Sequence, residues 1–194
     1  MANTPDKPLI LDLQQGNLDA LGALYDRHRQ LVYRTALAIT TDDEAAADLL
    51  QDVFLRLYRF AGRVDPDRPL EPWLYRVTAN LAYTWLKRRH LWLRSLKDMA
   101  EWLAREKLPT PHHQAEVDEA WDQVRRALAA IPLQQRLVVV LYYLNDLPIH
   151  EIAQILEVPV GTVKSRLHYG RLALKARLEV DGRMVPEAQY EYTA

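Results

Sequence analysis

Basic side chains without acidic neighbours occur in two separate stretches of this 194-residue chain. Residues 76–94 and residues 158–178 each contain five Lys or Arg and no acid, whereas residues 42–52 contain five acids and no base. Guanidinium and ammonium groups bind phosphate oxygens, and an acidic strip attracts a basic partner. Although the net charge is only −1, the charges are segregated along the chain. The basic stretches favour nucleic acid as a partner, and the acidic stretch favours a second protein. The alternative is that each strip is an ordinary solvated helix face.

The second basic stretch belongs to a pattern typical of a helix-turn-helix over residues 147–178. Pro148 fits the first position of a helix, and a short break follows at residues 157–160. The first helix has an apolar inner face made of Ile149, Ile152, Ala153 and Leu156. The second helix starts at about Gly161, and its apolar stripe is made of Val163, Leu167, Gly170, Leu174 and Leu178.

The polar side chains of this second helix lie opposite its apolar stripe. An α-helix fits the major groove of B-DNA, where residues near its N-terminus contact base edges. The candidates for base edges are Lys164, Ser165, His168 and Tyr169, and those for phosphates are Thr162, Arg166 and Arg171. A helical hairpin of an ordinary bundle is the alternative, but a second helix without acidic residues favours DNA.

Capping residues and apolar periodicity predict two helices at the start of the chain. The first runs from an N-cap at Asn17 to Ile39. The second opens with a capping box, in which Thr41 is the N-cap and Glu44 reaches back to it, and Gly62 ends this helix. Its buried side is predicted to contain Leu49, Val53, Phe54, Leu57 and Phe60.

A loop and a third helix complete this half of the chain. Two prolines exclude a continuous helix through residues 63–69. The third helix starts at about Glu71, with Pro72 tolerated in its first turn, and ends in the basic run at residues 87–90.

The fold class is therefore predicted to be all-α, with two small helical domains joined by a flexible linker. Prolines in the linker leave room only for a short helix around residues 96–106. The second helical unit has breaks at Pro132, at residues 145–148 and at residues 158–159. The predicted division is residues 1–93 for the N-terminal domain, 94–117 for the linker, 118–178 for the C-terminal domain and 179–194 for a tail.

Several kinds of chemistry are disfavoured by the composition. The absence of Cys excludes disulfides, thiolate catalysis and Cys-bound zinc. His112 and His113 are the obvious metal-ligand pair, but adjacent residues do not share a helix face and Glu116 is the nearest acid. There is no Gly-rich phosphate loop and no nucleophile motif. We therefore predict no cofactor, no metal and no enzymatic activity.

The sequence also gives no sign of membrane insertion or export. No apolar run approaches the roughly 20 residues needed to cross a bilayer. The N-terminus has no basic segment followed by an apolar one, so no signal peptide is visible. A cytoplasmic location is the expectation.

Four segments carry a likeness to a known family. In order they are residues 24–28 with 32–37, residues 48–58, residues 72–82, and residues 130–136 with 159–167. They resemble the opening helix, the polymerase-docking segment, the promoter-melting segment and the C-terminal domain of bacterial sigma factors of the extracytoplasmic-function (ECF) type, in the sigma-70 family. The likeness covers roughly residues 18–178.

The resemblance implies a protein that binds core RNA polymerase and promoter DNA. In this family the N-terminal domain reads the minus-ten element and the C-terminal domain reads the minus-thirty-five element. The implied polymerase contacts are Asp48, Gln51, Asp52 and Leu55. The implied minus-ten contacts are Val64, Arg76, Asn80, Tyr83, Lys87, Arg88 and Arg89. The implied minus-thirty-five contacts are Thr162, Lys164, Ser165, Arg166, His168, Tyr169 and Arg171.

Further expectations and alternatives accompany this interpretation. The family implies an anti-sigma partner and a role in a stress or envelope-signal response. A stand-alone helix-turn-helix regulator, which would bind duplex DNA without polymerase, is the alternative function. The acids at residues 42–44 equally suit the dipole at a helix N-terminus. Trp73 is expected in the core because it opens the apolar stripe of its helix, whereas Trp85 suits the core and a functional role equally. Glu157 stands where the family often has Gly or Asn, and a positive φ there costs on the order of 1 kcal/mol.

Overall fold

The structure is a computed structural model that describes residues 5–103 and 119–180. Those ranges contain eight α-helices, one 3-10 turn and no strand, which confirms the all-α prediction. The first unit contains α1 (Lys7–Gln14), α2 (Leu18–Thr40), α3 (Asp43–Arg59), the turn Ala61–Arg63 and α4 (Glu71–Leu103). The second unit contains α5 (Glu119–Ala129), α6 (Leu133–Tyr143), α7 (Ile149–Leu156) and α8 (Val160–Val180). No helix in these ranges is long and apolar enough to cross a membrane.

The predicted start of α2 is confirmed, whereas the predicted cap of α3 is wrong by one residue. The side chain of Asn17 accepts a hydrogen bond from the backbone N–H of Asp19 at 2.9 Å. Asp42 caps α3 by accepting from the N–H of Ala45 at 3.0 Å. Thr41 has φ 59, the left-handed conformation that ends α2, whereas an N-cap residue is extended. The third residue of α3 is then Ala45, which cannot complete a capping box.

The end of α3 also differs from the prediction. The helix stops at Arg59, and Gly62 lies inside the following 3-10 turn. Phe60 lies just after the end of the helix and is 41% exposed. The guanidinium of Arg63 stacks on its ring, 5.3 Å from the ring centre. The other four predicted core residues are buried: Leu49, Val53, Phe54 and Leu57.

α4 begins at Glu71 as predicted but is longer than expected. It continues through the basic run at residues 87–90 and ends at Leu103, within the predicted linker. Residues 73–103 contain neither Pro nor Gly, so nothing in this stretch stops a helix. Residues 104–118, with the His112 and His113 pair, and residues 181–194 of the predicted tail lie outside the described residues.

α1 is an additional helix that the sequence pattern does not predict. It has only eight residues, too few to display a clear helical period. Its Ile10 and Leu13 are 1% and 3% exposed, in a core formed with Leu24, Leu57 and Leu74. α1 is therefore part of the first unit.

A second apolar core is shared by the two units. From the first unit it takes Ala36, Ile39, Leu49, Tyr75, Ala79 and Ala82. From the second unit it takes Leu128, Ile131, Leu137, Val138, Leu141, Ile152, Val163 and Leu167. The two units therefore pack directly on each other.

Polar contacts also cross this shared core. Nη1 of the buried Arg136 donates to the carbonyl oxygen of Ile39 at 2.8 Å, and its Nη2 donates to the carbonyls of Ala129 and Ile131. Burial lowers the pKa of this guanidinium, and the three carbonyls offset part of its lost hydration. Further pairs across the interface include Asn145 with Thr35 (2.9 Å), Arg125 with Asp43 (2.5 Å) and Arg76 with Glu157.

α7 and α8 form the predicted helix-turn-helix. Pro148 is the extended N-cap of α7, with ψ 152, and not its first helical residue as predicted. Glu157 has φ 54 and ψ 45, so the turn does require a positive φ at this position. Gly170 faces α6 so closely that an added Cβ would lie 2.7 Å from Cγ2 of Val139. The helix-turn-helix is thus seated on α6 through the stripe that contains Gly170.

Candidate nucleic-acid and polymerase interfaces

Four side chains on the outer face of α8 are exposed, as the pattern predicts: Lys164, Ser165, His168 and Tyr169. The rings of His168 and Tyr169 meet edge to face at 5.3 Å, and Tyr169 is 60% exposed. The hydroxyl of Ser165 donates to the carbonyl oxygen of Thr162 at 3.0 Å, within the first turns of α8. This face offers an ammonium group, a hydroxyl and an imidazole, which suit the donors and acceptors of base edges in a major groove.

Two half-buried arginines, Arg166 and Arg171, belong to the same helix. Nη2 of Arg166 donates to Oε1 of Gln134 on α6 at 2.7 Å. This bond braces α8 against α6, a role that the sequence does not predict. A guanidinium has five N–H donors, so the bond to Gln134 leaves capacity for a phosphate.

An exposed polar stripe runs along α4 at helical spacing and is made of Arg76, Asn80, Thr84 and Lys87. The hydroxyl of Thr84 donates to the carbonyl oxygen of Asn80 at 2.8 Å, and the amide side chain of Asn80 faces solvent. Such an amide presents a donor and an acceptor side by side. Thr84 was not among the predicted contacts, although it stands four residues after Asn80. Tyr83 is half-buried beside this stripe.

Arg76, at the start of the stripe, forms an ion pair with Glu157 of the helix-turn-helix turn. Both side chains are largely exposed, so the pair is accessible to solvent and to competing anions. A residue predicted to contact minus-ten DNA therefore contacts the second unit in this arrangement.

The basic end of the stripe contains Arg88 and Arg89, which are both exposed. Nη1 of Arg89 lies 2.6 Å from Oδ2 of Asp42, and its guanidinium stacks 5.0 Å from the ring centre of Trp85. Asp42 is thus both the N-cap of α3 and an ion-pair partner, while Asp43 pairs with Arg125. These contacts favour intramolecular roles for two of the three acids at the start of the acidic strip.

The loop at residues 64–69 joins the 3-10 turn to α4. Val64 is only 6% exposed and packs in the core of the first unit. Contrary to the prediction, its side chain does not face a ligand. The exposed residues of the loop include Asp65, Asp67 and Arg68. The carboxylate of Asp65 accepts from the N–H of Asp67 at 3.0 Å and lies 3.3 Å from Nε of Arg68.

The outer face of α3 carries a mixed acidic and apolar surface. Asp48, Gln51, Asp52 and Leu55 are all exposed, and Leu55 is 50% exposed. Tyr58, 45% exposed and one turn further along the same face, extends this surface. Its position three residues after Leu55 is the signal that could have identified it. Exposed apolar side chains next to carboxylates are typical of a protein-binding surface.

A cavity of about 560 Å³ lies where α4 meets α6 and α8. Its walls from α4 are Tyr83, Leu86, Lys87 and His90, and those from the second unit include Leu133, Gln135, Arg136 and Arg166. The cavity therefore joins residues of both predicted promoter-reading surfaces.

In the described part of the chain, one group of side chains has ligand atoms close enough to hold a metal ion. Asp6, His28 and Glu71 have these atoms within 4.8 Å of one another. Oδ2 of Asp6 is hydrogen-bonded to Nε2 of His28 at 2.8 Å, and its other oxygen pairs with Arg27. The carboxylate of Asp6 is thus satisfied by protein groups.

The two helical units match two family models. Residues 24–91 match Sigma-70 region 2, and residues 121–174 match Sigma-70, region 4. ECF RNA polymerase sigma factor SigW of Bacillus subtilis (strain 168) is 29% identical over 182 residues, 89% of this chain and 96% of the relative. ECF RNA polymerase sigma factor SigL of Mycobacterium tuberculosis (strain H37Rv) is 32% identical over 160 residues, 81% of this chain and 88% of the relative.

Two solved structures share the fold. CnrH, solved in complex with the cytosolic domain of CnrY, superposes with a TM-score of 0.66 at 24% identity, covering 91% of this chain and 99% of that one. The sigma factor RpoE, solved with the anti-sigma factor NepR from Bartonella quintana, gives a TM-score of 0.60 at 23% identity, covering 88% and 98%.

Proposed function

The chain belongs to the ECF RNA polymerase sigma factors of the sigma-70 family, and on that premise we propose how its two helical units divide promoter recognition. As such a factor it binds core RNA polymerase and directs promoter-specific initiation of transcription. We propose that residues 1–93 dock on polymerase and read the minus-ten element, and that residues 118–178 read the minus-thirty-five element. The observation that carries this division is the outer face of α8, which has no acid between residues 160 and 178, on a helix-turn-helix in the unit that matches region 4.

α8 enters the major groove of the minus-thirty-five element in this proposal. Lys164, Ser165, His168 and Tyr169 read base edges, and Thr162, Arg166 and Arg171 hold phosphates. Seating of α8 on α6 through Gly170 fixes the angle at which this face meets the groove. A rigid seat favours specificity, because a tilted helix would lose its hydrogen bonds to bases.

The first unit captures the opened minus-ten strand. Asn80 pairs with a base that has left the stack, since an unpaired base exposes donors and acceptors that a duplex hides. Tyr83 offers a face for stacking, while Arg76, Lys87, Arg88 and Arg89 neutralise phosphates along α4. The loop at residues 64–69 forms a wall of the pocket that receives the base.

The outer face of α3 docks on polymerase. Asp48 and Asp52 provide electrostatic attraction to a basic surface, and Leu55 and Tyr58 provide apolar area that is covered on binding. Gln51 lies on the same face and adds a hydrogen-bonding group. The side chains of this surface are exposed in the described part of the structure and are therefore accessible to a partner.

We also propose an anti-sigma partner for this chain. The sigma factor RpoE was solved with an anti-sigma factor, NepR, and the cavity between α4, α6 and α8 is a suitable seat for an inserted helix. A partner bound there would cover Tyr83, Lys87 and Arg166 together. It would thereby block both promoter-reading surfaces with one contact.

Sigma factors are transcription initiation factors and not enzymes, and we propose that this chain has no catalytic activity of its own. It would act in the cytoplasm, where polymerase and chromosome are found. A stress or envelope signal, typical of ECF factors, would release it for transcription.

Run-off transcription with purified core polymerase on genomic DNA tests the proposal. We expect discrete transcripts that require both the protein and core, and mapping their starts identifies the promoters. The control is a variant with Asp48→Lys and Asp52→Lys, which should lose core binding while retaining its fold. Duplex binding without any association with core would instead support a stand-alone regulator and contradict the assignment of α3.

A further inference from the structure

α1 precedes the segment that matches region 2, which begins at residue 24, and the proposed function does not use it. The start of α1 is fastened to α2. The carboxylate of Asp6, 1% exposed, is hydrogen-bonded to His28 and paired with Arg27, and both partners belong to α2. Ile10 and Leu13 bury the inner face of the helix. α1 is therefore a fixed part of the first unit.

The other contacts of α1 reach the segment between α3 and α4. Nε2 of Gln14 donates to the carbonyl oxygens of Ala61 at 3.0 Å and Val64 at 2.9 Å. These carbonyls stand at the first residue of the 3-10 turn and just after its last, so one amide group clamps the whole turn. At the opposite end of α1, Nζ of Lys7 lies 2.6 Å from Oδ1 of Asp67.

The two ends of α1 contact this segment at two separate points. The end residues of an eight-residue helix lie about 10 Å apart along its axis. Asp67, which Lys7 contacts, belongs to a turn at residues 65–68, in which the N–H of Arg68 donates to the carbonyl oxygen of Asp65 at 3.2 Å. α1 therefore holds the start of the loop through Gln14 and the turn within the loop through Lys7.

We propose that α1 positions the loop at residues 64–69 to receive an unpaired minus-ten base, with Gln14 and Lys7 as positioning residues. The inference rests on the proposed function of the first unit and adds an element outside the region 2 match. A loop that must become ordered during binding loses affinity to the entropy of ordering. A loop already held by α1 avoids most of that loss when a base leaves the stack.

Gln14→Glu is the informative variant, because it keeps the size of the side chain but removes the donor. A carboxylate cannot donate to the carbonyls of Ala61 and Val64, and it repels them. Gln15→Glu is the matched control, since it makes the same change one residue later at an exposed position. The assay is binding of the holoenzyme to a single-stranded oligonucleotide. This oligonucleotide carries the nontemplate minus-ten sequence of a promoter mapped by run-off transcription.

We expect Gln14→Glu to weaken this binding about threefold to tenfold, the range for one or two lost hydrogen bonds, and Gln15→Glu to change it less than twofold. Affinity for core polymerase and for a duplex with only the minus-thirty-five element should stay at the wild-type value. Unchanged oligonucleotide binding by Gln14→Glu overturns the proposal. An equal loss of oligonucleotide, duplex and core binding overturns it as well, because that result indicates general destabilisation. Failure of the wild-type holoenzyme to bind the oligonucleotide refutes the minus-ten function itself.

Discussion

The seat of α8 on α6 gives a quantitative prediction for Gly170→Ala. A Cβ at residue 170 would lie 2.7 Å from Cγ2 of Val139 and 3.3 Å from Cβ of Gln135. Ordinary carbon contacts are about 3.5–4.0 Å, so the shortfall at Val139 is about 1 Å. Val139 is buried and β-branched within a helix, so its side chain has one strongly preferred rotamer and cannot turn aside easily. The strain must therefore move α8 away from α6.

The change in the free energy of unfolding caused by Gly170→Ala combines two opposing terms. Overpacking of this kind costs about 1–3 kcal/mol, while Ala in place of Gly inside a helix gains about 1 kcal/mol. Gly22→Ala isolates the second term, because Gly22 lies inside α2 and a Cβ there meets nothing within 4 Å. We expect Gly22→Ala to stabilise the protein and Gly170→Ala to be less stable than Gly22→Ala by about 1–3 kcal/mol.

Urea unfolding followed by circular dichroism measures both variants, with the slope checked for constancy. Hydrogen exchange of α6 and α8 amides shows where the loss in Gly170→Ala is located. A shifted α8 should also weaken binding to a minus-thirty-five duplex, whereas Gly22→Ala should not. If Gly170→Ala stabilises the protein as much as Gly22→Ala, then the close packing of α8 on α6 is wrong.

Three further predictions concern individual side chains. Glu157→Gly should be more stable than Glu157→Gln by up to about 1 kcal/mol in urea unfolding, because both lose the pair with Arg76 and only Gly relieves the positive φ. Arg136→Met should lower the free energy of unfolding by about 2–4 kcal/mol, since three carbonyls lose their charged donor; an unchanged value would contradict the role of Arg136 in joining the units. His168→Ala should alter the ranking of minus-thirty-five sequences in a binding competition, whereas Arg88→Ala should weaken minus-ten binding to all sequences and reduce its salt dependence.

The helices that the sequence predicts correctly are those with a sustained apolar period. α2, α3 and α7 have such stripes, and the exposed faces of α3 and of the first half of α8 follow from the same spacing. Helix ends were less predictable because neighbouring residues compete for them. Thr41 and Asp42 are both good N-cap residues, and only the left-handed backbone at Thr41 decides between them.

Contacts between residues far apart in the sequence could not be predicted. Arg136 bonds to the carbonyl of Ile39, 97 residues earlier, and Asn145 bonds to Thr35 across 110 residues. Local periodicity carries no information on such pairs. The contacts of Gln14 could not be predicted for the same reason, since its partners lie 47 and 50 residues further on.

If the first unit reads the minus-ten element and the second unit reads the minus-thirty-five element, as proposed, then the packing of the two units seen here prevents both elements from being read at once. The elements are named for positions about 25 base pairs apart, which is about 85 Å of B-DNA at 3.4 Å per pair. In the structure the turn of the helix-turn-helix touches α4 directly through Glu157 and Arg76. Under the proposed function, promoter binding therefore has to break the contacts of Arg76 and Arg136 across the shared core. In this proposal, DNA phosphates compete with Glu157 for Arg76. The DNA that requires separated units therefore also weakens the packed arrangement of the two units.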